Sequence, residues 1–123
     1  MTNLELLKTI YQGFLNGNMD VLFSNLAEEA IWKIHSAPDS PLPAVSIGAD
    51  EIKGYFQALD SEVELRKFDI KQILDGGDTF AVLIDLDRKY KSSGAEKQGQ
   101  YVHIIKFNED GQLASFDGYE PSA

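Results

Sequence analysis

A chain of 123 residues carrying a formal net charge of −9, with 20 Asp and Glu against 11 Lys and Arg, is one domain's worth of protein. It lacks the cationic excess that nucleic-acid phosphates or anionic membrane surfaces select. Hydrophobic residues at 43% and charged residues at 25% fit a folded globular chain, and the absence of cysteine excludes disulfides, thiolate catalysis and cysteine-ligated zinc. The opening MTNLELLKTI has neither the basic start nor the long apolar centre of a signal peptide, and no run is long enough to span a membrane. A cytoplasmic location, with no nucleic-acid and no membrane partner, is therefore expected.

Residues 2–16 read as an amphipathic helix, with Leu4, Leu7, Tyr11, Phe14 and Leu15 at helical spacing. Thr2 with Glu5 three residues on resembles a capping box, and Gly17 is a stop. Asn18 caps a short second helix from Met19 to about Asn25. Glu29 to His35 is β-branched and aromatic enough for a strand, with Trp32 and Ile34 on one face and Ile31, Lys33 and His35 on the other. The segment Ser36 to Ile47 holds Pro38, Pro41 and Pro43, so it reads as a long loop suited to covering something.

Asp50 is the expected cap of a third helix whose apolar side is Ile52, Tyr55, Phe56 and Leu59. Strands follow from about Val63 to Leu74 and from Thr79 to Tyr90, separated by Asp75-Gly76-Gly77-Asp78. In the second of these, Phe80, Val82, Ile84 and Leu86 alternate with Ala81, Leu83, Asp85 and Asp87. The last third, from Lys97 to Tyr119, reads as a hairpin turning at Asn108-Glu109-Asp110-Gly111. Tyr101, His103, Ile105 and Phe107 share one of its faces; Val102, Ile104 and Lys106 share the other.

Helices early and strands late predict a single α+β domain over 1–123: a curved antiparallel sheet wrapped around the N-terminal helices. The conical space left at the open end of such a sheet is the natural small-molecule pocket.

This order of elements is similar to the nuclear-transport-factor-2-like superfamily with its cystatin-like roll. The branch it resembles is that of polyketide-cyclase-like (SnoaL-like) and ketosteroid-isomerase-like proteins. The similarity runs through LLKTIYQGFLNGNMDVLFSNLAEEAIWKI, GADEIKGYFQAL and VHIIKFNEDGQL, and then an aromatic and acidic close. It implies a cone-shaped pocket for a small hydrophobic ligand, a homodimer joined through outer sheet faces, and chemistry without cofactor or metal. Family isomerases move a proton with a carboxylate and hold the enolate oxygen with a tyrosine and a neutral carboxylic acid. Tyr11 matches the expected tyrosine of the first helix. The carboxylate expected at the end of the first strand is absent, its place taken by His35 and Ser36. The Arg and Asp two apart that epoxide-opening members use are also absent, because Arg88 is out of phase with Asp85 and Asp87.

His103 is the leading candidate for a proton carrier, as an imidazole in an otherwise apolar row. The alternative is a core histidine satisfied by one hydrogen bond. Asp85 enters the pocket or points to the convex face according to which side of its strand is buried, and alternation leaves both open. Asp117 or Glu120, near Tyr119, is a second candidate acid or base. The expected catalytic set is His103, Asp85 and Asp117. The expected pocket wall is Tyr11, Trp32, Ile34, Tyr55, Phe56, Tyr101, Ile105 and Tyr119. His35 shares a face with Lys33, which favours solvent or an interface, but its nearness to the proline loop keeps it among the pocket residues. Either the pocket performs cofactor-free proton transfer on a carbonyl compound, or the domain is a non-catalytic ligand-binding or association module.

Overall fold

The structure, a computed structural model, describes residues 1–36 and 39–121; Pro38 of the proline loop lies outside the described residues. Helix α1 spans Asn3–Leu15 and begins with the complete capping box, the Thr2 and Glu5 side chains each accepting the other's backbone N–H. It buries Leu6, Leu7, Ile10 and Tyr11, whereas Leu15 faces solvent. Gly17, at φ 75°, takes the left-handed turn that leads into α2 (Asp20–Ser24).

Strand β1 runs Leu26–His35, starting earlier than expected, and β2 (Val45–Ile47) is a short edge strand inside what reads as loop. Pro43 lies two residues before its first residue, outside the ladder, where a missing N–H is tolerated. Helix α3 covers Gly48–Glu62. Its N-cap is Ile47 rather than Asp50; Asp50 and Glu51 occupy the first turn, and the Glu51 carboxylate accepts the Ile47 N–H at 2.9 Å. Strands β3 (Val63–Asp75), β4 (Thr79–Tyr90), β5 (Glu96–Phe107) and β6 (Leu113–Tyr119) follow.

The six strands form one sheet in the order β2-β1-β6-β5-β4-β3. The late strands meander antiparallel as expected, but β1 pairs parallel with β6, so the sheet is not wholly antiparallel. The parallel pair closes the longest loop in the chain, which local turn signals do not encode. Register shifts interrupt β3 at Leu65/Lys67 and again at Ile70/Gln72, and such extra residues bend a strand. The result is a curved, open sheet with the helices on its inner side. Phe80, Val82, Ile84 and Leu86 of β4 face inward, and Arg88 and Tyr90 continue their row. Ala30, Trp32 and Ile34 of β1 face the same core.

Candidate functional site

Between the helices and the inner sheet face lies a cavity of about 520 Å³. Its wall is largely apolar and aromatic. Phe14, Phe56 and Phe68 are half-buried in it, and Gly17, Asp60 and Leu65, all exposed, mark its open side. Trp32 stacks on Phe116 with centroids 4.0 Å apart and planes 6° from parallel, which fixes both rings. The indole Nε1 is buried and has no hydrogen-bond partner among the described residues.

Two polar groups interrupt this wall. The first joins α1 to β5: Tyr11 Oη and His103 Nδ1 are 2.7 Å apart. Burial holds the Tyr11 phenol well above its ordinary range, so the hydroxyl keeps its proton. Burial, and then the charge of Arg88, push His103 down to about 3, so its ring is neutral near pH 7. In the tautomer in which Tyr11 donates to Nδ1, the ring hydrogen sits on Nε2, which has no partner among the described residues.

The second is built by β4, β5 and the residue after β6. Arg88 and Glu120 form an ion pair whose side chains are 7% and 5% exposed. Tyr90 Oη donates to Glu120 Oε1 at 2.7 Å, and Arg88 Nε donates to Tyr101 Oη at 3.1 Å. The Arg88 guanidinium lies 5.0 Å from the Tyr101 ring centre and 5.5 Å from that of Tyr90. Burial works against its charge, but Tyr101, Glu120 and Tyr90 outweigh that and raise its pKa. Burial also pushes Tyr55 and Tyr90 up to about 12, so both phenols remain donors. The bonds to Glu120 converge on Oε1; among the described residues no donor reaches Oε2.

Of the twelve residues expected in the catalytic set or the pocket wall, Tyr11, Trp32, Ile34, Tyr55, Phe56, Tyr101, His103 and Ile105 line the cavity. Four others do not. Asp85 is on the convex face of β4, where Lys67 Nζ lies 2.8 Å from its carboxylate. The inner row of β4 is the even-numbered one, so odd-numbered Asp85 points away. Asp117, Tyr119 and His35 are also outside: His35 Nε2 is 2.9 Å from Asp117 Oδ1, and its ring stacks on Tyr119 at 4.4 Å. Strand β6 changes parity between Leu113 and Phe116, both buried although three apart. That irregularity turns Phe116, Gly118 and Glu120 inward and Asp117 and Tyr119 outward.

The expected site residues do not include Arg88, Tyr90 or Gly118, and Glu120 is an alternative to Asp117 outside the expected catalytic set. The signal for the first two was present in the unbroken alternation from Phe80 to Tyr90. None of the described residues of the proline loop lines the cavity; Leu42 is buried in the core, and Asp39 lies 3.5 Å from Lys97 Nζ. Among the described residues, no group of three or more His, Cys, Asp or Glu side chains comes together to hold a metal ion, and no helix is long and apolar enough to cross a membrane.

Residues 7–116 match the family model of the SnoaL-like domain. The chain belongs to the SnoaL-like family. No curated protein matches it. Among solved structures, an NTF2-like protein from Burkholderia xenovorans superposes with a TM-score of 0.85 at 19% identity, over 98% of this chain and 92% of that one. An NTF2-like protein of unknown function from Burkholderia pseudomallei gives 0.82 at 17%, over 97% and 90%. A hypothetical protein from Catenulispora acidiphila with a ketosteroid-isomerase-like fold, in complex with trimethylamine, gives 0.72 at 15%, over 94% and 84%. Other structures of this fold are named as candidate polyketide cyclases and isomerases. At these identities the likeness establishes the SnoaL-like fold alone.

Proposed function

We propose that this SnoaL-like protein binds a small, flat, largely apolar carbonyl compound and catalyses cofactor-free proton transfer on it. The observation that carries the reading is one apolar cavity bearing both a neutral Tyr11–His103 pair and a buried carboxylate, Glu120, with Oε2 open.

Glu120 takes a proton from the carbon next to the ligand carbonyl. The C–H electron pair moves into the enolate, and the carboxyl returns the proton at the same or a conjugated carbon, so nothing is oxidised or reduced. Arg88 and Tyr90, bound at the other oxygen, hold the carboxylate in place. The developing oxyanion is met by His103 Nε2–H, backed by Tyr11, or by the Tyr55 hydroxyl. His103 is too weakly basic to be the first proton acceptor, so its role here is donor rather than carrier.

A second copy of the chain is proposed to cover the outer sheet face, where Ile31 and Ile47 are paired and exposed across β1 and β2, and Val45 and Tyr119 are exposed on β2 and β6.

The test is 2-tetralone in D2O, followed by NMR. Protein-dependent loss of the C1 proton signal, abolished by Glu120→Gln while binding persists, is the expected result. Binding without exchange leaves a ligand-binding module, and the absence of binding overturns the reading altogether.

A further inference from the structure

Gly118 is a glycine without a conformational reason to be one. It is not among the residues of positive φ, and it sits inside β6, a central strand between β1 and β5. Glycine in such a place gives up backbone order and side-chain packing, and it marks points where something approaches the backbone closely.

Its surroundings say where that approach occurs. Gly118 pairs with His103 on one side and with Ile34 on the other. Phe116 and Glu120 are its neighbours along the same inner face, and all five residues line the cavity. A Cβ at position 118 would lie 3.1 Å from Phe116 Cε1 and 3.3 Å from Ile34 Cδ1. Phe116 has little room to yield. It is stacked on Trp32 and meets the His103 ring edge-on at 4.6 Å. The backbone at position 118, on the cavity wall between Phe116 and Ile34, is thus beside one polar group of the cavity and two residues before the other.

We propose that Gly118 is the specificity-determining residue of the cavity: by leaving the β6 backbone bare beside His103 and Glu120, it admits ligands of two fused rings that any side chain there would exclude. His103 pairs with position 118 and Glu120 lies two residues beyond it, so a ligand that engages both polar groups lies across position 118. The inference rests on the cavity being the ligand site proposed above.

The test is calorimetric titration with 2-acetylnaphthalene and acetophenone, which share a carbonyl and differ by one ring. Wild type is expected to prefer the two-ring ketone. Gly118→Ala should weaken 2-acetylnaphthalene about tenfold and leave acetophenone within about twofold, the scale of modest overpacking. Equal losses for the two ketones, or no loss for either, overturn the proposal.

A glycine needed only to seat Phe116 is separated by comparing Phe116→Leu with the Phe116→Leu/Gly118→Ala double variant. In that background the ring contact is gone. Selective loss of the two-ring ketone in the double variant supports the proposal, and restored binding overturns it. If wild type binds neither ketone, the ligand-site reading falls and this inference with it. If wild type binds and the alanine variants do not discriminate, only this inference falls.

Discussion

Tyr11 Oη and His103 Nδ1 meet at 2.7 Å across the gap between the first helix and the fifth strand, with their rings 10° from parallel. The bond satisfies a buried phenol with a neutral imidazole, and neither group can charge without losing its surroundings.

That neutrality sets a pH dependence of stability. The unfolded ring protonates near its ordinary 6.5, while the folded ring stays neutral down to about 3. As pH falls below 6.5 the unfolded state gains a proton that the folded state refuses, so stability drops and continues to drop toward pH 3. Between pH 7 and 5 the expected loss from this ring is about 2 kcal/mol. Urea unfolding at pH 7, 6 and 5 checks it, with His103→Asn expected to lack this part of the loss. An equal slope in both proteins would refute the burial of a neutral ring.

The Arg88–Glu120 pair is a second testable element. With both side chains almost wholly enclosed, Glu120→Gln leaves a guanidinium without its counter-charge and is expected to destabilise by about 3 kcal/mol. The Arg88→Met/Glu120→Gln double variant should lose less than the sum of the single changes, because no unpaired charge remains. A thermodynamic cycle from chemical denaturation measures the coupling, and simple additivity would show that the two groups do not depend on each other.

Asp85 offers the opposite expectation. Its partner Lys67 and its own carboxylate are both partly open to solvent. Asp85→Asn should therefore leave the unfolding midpoint, ketone binding and proton exchange near wild type. A large loss of exchange would place Asp85 in the chemistry against its position on the convex face.

The outer sheet face makes a prediction about assembly. Ile31 and Ile47 are paired across β1 and β2, with Ile47 51% exposed. Ile47→Lys should convert a dimer into a monomer, read by light scattering on a sizing column. A wild-type protein that is already monomeric would remove the second copy from the proposal.

Much of this architecture is legible in the amino-acid sequence. Capping chemistry at Thr2 and Glu5, turn chemistry at Gly77 and Gly111, and strict alternation along Thr79–Tyr90 act over a few residues, and those are the ranges a sequence displays directly. The same alternation places Trp32, Tyr101 and His103 with the core. Arg88 belongs to the inward row of β4, but alternation alone does not show what would neutralise a charge placed there. Its burial requires Glu120, 32 residues away, to arrive beside it.

The positions of Asp117 and Tyr119 were beyond sequence reasoning for a related cause. One irregularity between Leu113 and Phe116 reverses the faces of everything after it, and no residue type there announces it. Local sequence patterns encode the three helices, strands β1 and β3 to β6 in their order, and the inward row of β5, but not β2. The parallel docking of β1 on β6, the burial of the Arg88–Glu120 pair and the place of Gly118 on the cavity wall arise from tertiary structure alone. Those features depend on strands that meet across most of the chain's length, where pairing is set by the closure of the whole sheet and not by neighbours in sequence.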